Sequence, residues 1–118
     1  MKYMLLIYRD ENAFDPSELV KYRDESVQLA NDLHAKGQYL GAAPLHPTST
    51  ATSVKVLGGK RIVTDGPFAE TREHLGGYFL VDAKDLDEAI DIAGRIPGAR
   101  LGTVEVRPVL EIDGLPED

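Results

Sequence analysis

The densest run of groups able to move a proton or hold an anion lies between Asp65 and His74, where Glu70, Arg72, Glu73 and His74 fall within five residues. Carboxylates beside an imidazole suit general acid–base work, and an arginine among them suits the carboxylate or phosphate of a small ligand. Asp65, Glu73 and His74 are the candidates for proton exchange. Phe68, Glu70, Arg72, Tyr78 and Arg107 are the candidates for holding a ligand. Each also has a plain structural role open to it. Asp65 precedes Gly66-Pro67, and an aspartate at such a turn accepts backbone N–H bonds. Phe68 suits a hydrophobic plug that anchors the loop as well as it suits a cleft wall. Arg107 on a strand either reaches a ligand between sheets or pairs with Glu70, Glu73 or Glu105. Loops carried on a rigid sheet are favoured places for binding groups, and Gly76-Gly77 directly after this one permits close approach of a ligand or of backbone.

Other chemistries find little support. The chain has no cysteine, and its three histidines, His34, His46 and His74, lack the spacing of metal ligands. No metal is expected. There is no phosphate-cradling glycine loop and no nucleophile-elbow serine, so no cofactor is expected either. Asp82, Asp85, Asp87, Glu88 and Asp91 gather at a helix start, which the helix dipole explains. Twenty acidic against thirteen basic residues give a formal charge of −7, with the basic residues scattered, so nucleic acid is not an expected partner. No apolar run approaches the roughly 18 residues that cross a bilayer, and no signal-peptide pattern follows Met1-Lys2. Cytoplasmic residence is the resulting expectation.

At 118 residues, 42% apolar and 28% charged, the chain reads as one globular domain over 1–118. Lys2 to Arg9 is almost continuously apolar, as in a central strand. Asp15-Pro16-Ser17-Glu18 carries a cap, a first-turn proline and a capping-box acid, and starts a helix. Leu19, Tyr22, Ser26, Leu29, Ala30 and Leu33 recur on its buried face, and Gly37 stops it. Tyr39 to Ala43 is a short strand closed by Pro44 and Pro47. Thr50 to Leu57 and Lys60 to Asp65 form a hairpin about Gly58-Gly59. Leu75 to Val81 is a second buried strand. A helix begins at Asp85 and ends at Pro97-Gly98, and Thr103 to Glu111 is a last strand with alternating faces.

This order predicts an α+β fold, a ferredoxin-like split βαβ with an inserted β-hairpin and two helices on one sheet face. The other face then needs a cover. The first and fifth strands are apolar on both alternations, so a second copy of the sheet is the simplest cover, and a homodimer is expected.

Asp65-Gly66-Pro67-Phe68-Ala69-Glu70-Thr71-Arg72-Glu73 resembles the YCII-related family, in the branch named for its Asp-Gly-Pro-Phe motif. The resemblance extends to Met1 through Tyr8, Thr50 through Val54, Leu75-Gly76-Gly77-Tyr78 and Val104 through Val109, in the family's order. It implies a dimeric α+β barrel in which two ferredoxin-like sheets face each other. Some relatives carry a His–Asp pair with the histidine early in the first helix. Here no histidine falls between Pro16 and Leu33, and His34 lies near the helix end, so that pair is not inherited.

Two functions fit these features. One is a small-molecule protein that takes an organic anion in the cleft between sheets, with Asp65, Glu73 or His74 exchanging a proton and Arg72 and Arg107 holding the negative group. The other is a non-catalytic module, binding a metabolite or acting as an accessory to regulation by an alternative sigma factor, since the family resembled here is often met beside such factors.

Overall fold

The computed structural model describes residues 1–13 and 15–116. Strand β1, Lys2–Arg9, leads to helix α1, Pro16–Ala35. One oxygen of Asp15, Oδ1, accepts the Glu18 amide at 3.0 Å and the Ser17 hydroxyl at 2.6 Å, which satisfies a free amide of the first turn. Together these donors, the Ser17 hydroxyl foremost, hold the Asp15 carboxyl below its ordinary pKa. At the other end Gly37 takes φ +72°, and the amides of Gly37 and Gln38 donate back to the carbonyls of His34 and Leu33.

Strand β2 is Tyr39–Pro44, and a short 3-10 turn at Thr48–Thr50 leads into the hairpin of β3, Thr52–Leu57, and β4, Lys60–Asp65. Gly58 and Gly59, at φ +55° and +78°, make the two-residue turn that matches the twist of its strands. Strand β5 is His74–Asp82 and helix α2 is Leu86–Arg95, capped by Asp85. Helix α3, Gly98–Leu101, was not expected. Pro97 was read as a stop, but its backbone suits the start of a new helical turn, and the Arg100 amide donates to the Pro97 carbonyl. Strand β6 is Thr103–Pro108 and ends three residues before the expected Glu111, because its only partner, β1, begins at Lys2, whose carbonyl takes the last bond from the Val109 amide at 2.9 Å.

The four-stranded sheet runs β2-β5-β1-β6, antiparallel throughout, while β3 and β4 form a sheet of their own. This is the ferredoxin-like α+β order with a hairpin inserted between the second and third strands of the main sheet. Tyr3 and Leu5 of β1, with Phe79 and Val81 of β5, point to the helix layer and close a core with Leu29, Leu33, Ala89, Ile92, Ala93 and Ile96. Met4, Leu6 and Tyr8 point the other way. They lie beside Leu80, Tyr78 and Leu75 of β5 and Arg107, Glu105 and Thr103 of β6, on the face opposite the helices. Among the described residues no helix is long and apolar enough to cross a membrane.

Leu33 is fully buried. Leu33→Ala is therefore expected to lower the unfolding free energy by about 3 kcal/mol, read by urea titration. The Asp15 carboxyl titrates lower in the folded chain than in the unfolded one, so its stabilisation is complete above about pH 4 and is lost as pH falls through the depressed folded value. Asp15→Ala is expected to melt below the wild-type protein at pH 7, with the gap closing on acidification in pH-dependent melting curves.

Candidate functional site

Helix α1 buries only Leu29 and Leu33, both in its second half. Its first half stands away from the sheet, and the residues below it are small: Ala42 and Ala43 on β2, Gly76 and Gly77 on β5. The result is a cavity of about 640 Å³ between α1 and the helix-covered face of the sheet. Leu19, Tyr22, Arg23, Ser26 and Ala30 form its wall; Ile7, Arg9 and Phe79 join the small residues as its floor; Pro97, Gly98 and Leu101 close one side.

The floor is low for a packing reason. A side chain at Gly77 would place its Cβ 2.8 Å from the Ala43 carbonyl oxygen, so the close approach of β2 to β5 requires glycine there. At Gly76 a Cβ would come within 3.2 Å of Arg9 Nε, and its absence leaves room for that side chain. Arg9 is half-buried and Arg23 exposed, and among the described residues neither forms an ion pair. His34 and Tyr39 also line the cavity, their rings edge to face with centroids 6.3 Å apart.

The cavity is braced from outside. The Glu11 carboxylate, on the loop after β1, accepts the Thr48 amide at 2.9 Å and the Thr48 hydroxyl at 2.8 Å, tying that loop to the segment that leaves β2. The Leu45 amide donates to the Gly76 carbonyl at 2.9 Å and prolongs the β2–β5 contact at the same end.

The residues nominated from sequence lie elsewhere for the most part. Asp65 ends β4 and is exposed, and the turn after it is held instead by the Gly66 amide on the Ala51 carbonyl and by the Ser53 hydroxyl on the Gly66 carbonyl. Phe68 is 91% exposed, so within one chain it plugs nothing. Glu70 is exposed, and Arg72 faces Asp10 at 3.8 Å with its side chain almost wholly in solvent. His74 opens β5 opposite Arg9, while Tyr78 sits mid-strand beside Leu6 with its side chain on the open face, its strand segment bordering the cavity. Glu73 accepts the Thr103 hydroxyl at 3.0 Å and joins Tyr8, Thr103 and Glu105 in a shallow recess. Tyr8, Thr103 and Glu105 lie on the open face of the sheet. Arg107 lies on that same face, opposite Met4, and forms no ion pair among the described residues, with Glu70, Glu73 and Glu105 included. Asp65, Phe68, Glu70 and Arg72 join neither place.

Sequence reasoning passed over Arg9, Arg23 and His34 as site residues. One signal was present: Tyr22 and Ser26 interrupt an otherwise apolar helical stripe, and polar positions on a buried face mark a face that is not fully packed. Among the described residues no group of three His, Asp or Glu side chains is arranged around a metal position.

The architecture is that of an α+β sheet protein with one covered face and a cavity beneath its first helix. The YCII-related domain model matches residues 1–113, and the chain belongs to that family. It is similar to an uncharacterised protein of Rhizobium meliloti (strain 1021), 41% identical over 92% of this chain and 92% of that one.

Glu11→Ala removes both bonds to Thr48. It is expected to cost about 1 kcal/mol or more of stability, seen as a lower urea midpoint with an unchanged slope.

Proposed function

We propose that this protein binds a small organic anion with an apolar body in the cavity between α1 and the sheet, and that it does so as a homodimer whose open sheet faces cover one another. The observation that carries the reading is the placement of Arg9 and Arg23, two arginines without ion partners among the described residues, on a largely apolar cavity of about 640 Å³. A chain of charge −7 has many carboxylates with which to neutralise its arginines. Two left unpaired beside one cavity are suited to a carboxylate or sulfonate, with the apolar walls taking the remainder of the ligand. His34, on the same wall, supplies an imidazole able to exchange a proton with a bound ligand.

The homodimer rests on Met4, Leu6, Tyr78 and Leu80, a half-buried apolar strip with no helix over it, next to Glu105 and Arg107 two residues apart on β6. An opposite-charge pair on one strand is complementary to its own copy turned about a two-fold axis. In such a dimer the recess of Tyr8, Glu73, Thr103 and Glu105 faces the cleft between sheets. That supports a second reading in which Arg107 holds the anion there and Glu73 exchanges the proton.

The probe that separates the readings is 8-anilinonaphthalene-1-sulfonate, an apolar anion whose fluorescence rises on leaving water. It is expected to bind, and Arg9→Ala and Arg23→Ala are each expected to weaken binding by about tenfold, the loss of one charge-assisted hydrogen bond. Ser26→Phe, which puts a ring into the cavity from the wall of α1, is expected to weaken binding, and Arg107→Ala to leave it unchanged. Loss of binding in Arg107→Ala alone transfers the site to the open face.

A further inference from the structure

We infer that the β3–β4 hairpin is a self-pairing arm, in which one face of the hairpin packs on the same face of a second copy of this chain with Arg61 opposite the partner's Asp65. The hairpin hydrogen-bonds as a separate two-stranded sheet, and all twelve of its strand residues but Ser53 are exposed. The described chain is correspondingly extended, with a radius of gyration of 16.1 Å where a compact chain of this length has about 13–14 Å. A lone two-stranded hairpin is marginal in water, and this one carries a bare apolar surface that favours a partner.

The register says which partner. Thr52 lies opposite Asp65, Val54 opposite Val63 and Val56 opposite Arg61, so these six side chains share one face. Val54, Val56 and Val63 are each more than half exposed. Along β4 the face reads Arg61, Val63, Asp65, with an apolar centre and opposite charges at equal distances on either side. A two-fold axis lying in the interface and crossing β4 at Val63 sets Val63 on its own copy. It also brings both Arg61 and Asp65 side chains onto their opposites. Neither residue has an ion partner among the described residues of its own chain. The other face, with Ser53, Lys55 and Leu57 opposite Thr64, Ile62 and Lys60, carries lysines without a balancing acid and does not pair with itself. This gives Asp65 a role at an interface between copies. Because the hairpin is a separate sheet, the pairing is independent of the small-molecule reading and of the open-face dimer.

The absence of cysteine allows a clean test. Val63→Cys and Ile62→Cys place one thiol on the two opposite faces of the hairpin, both at exposed positions. A bismaleimide short enough to bridge the roughly 10 Å between stacked sheets is expected to convert Val63→Cys to a covalent dimer on a denaturing gel and to leave Ile62→Cys monomeric. Adding Arg61→Asp to Val63→Cys is expected to abolish the cross-link, and adding Arg61→Asp with Asp65→Arg to restore it. Thermal melts that match the wild type show each variant folded. Equal cross-linking at the two positions, or a double reversal that behaves like the single one, overturns the inference.

Discussion

The main sheet is organised about β1, which like its neighbour β5 has both edges paired and both faces apolar, and which carries residues to the core, the cavity and the open face. Its helix-side residues Tyr3 and Leu5 anchor the core, and its last residue Arg9 reaches the cavity. Its outward residues Met4 and Leu6 line the open face. A single layer of two main helices covers one face of a four-stranded sheet and leaves the other, so the fold carries an unmet hydrophobic demand by construction. The helix layer does not meet its own side in full either. Leu29 and Leu33 seat the second half of α1, and the small residues of β2 and β5 leave the first half without a floor to pack on. The cavity is what remains.

Most of this architecture was legible because it is written in local signals. Asp15-Pro16-Ser17-Glu18 marks a helix start wherever it occurs, and Gly58-Gly59 between β-branched runs is a hairpin on any scaffold. Two features near the C-terminal end escaped sequence reasoning: the second helix stops before Pro97-Gly98 as expected, but the short α3 follows it at once, and β6 ends early because its partner β1 begins at Lys2. The candidate site was less legible. Glu70 to His74 are dense in sequence, but the structure gives each of the last three a different partner: Arg72 faces Asp10, Glu73 accepts from Thr103, and His74 opens β5 opposite Arg9. Arg9, Arg23 and His34 are remote in sequence and line one cavity only because α1 lies over the sheet. That is a tertiary fact with no local signature.

Gly76 and Gly77 show how one sequence feature was read rightly in kind and needed its partner named. Close approach was expected there, and the partner is backbone: β2 comes against Gly77, while Gly76 leaves space for Arg9. The same two glycines therefore set the sheet spacing and the cavity floor, and the Glu11–Thr48 brace holds the two neighbouring loops at the end where the floor is lowest.

The central claim is that the ligand site lies on the helix side of the sheet. The most direct measurement is an amide chemical-shift titration of nitrogen-15-labelled protein with 8-anilinonaphthalene-1-sulfonate. The account predicts saturable shifts at Ser26, Ala43, Gly76 and Gly77, with Met4, Leu6 and Leu80 unmoved. Shifts confined to Met4, Leu6, Leu80 and Glu105 would contradict it and move the site to the open face.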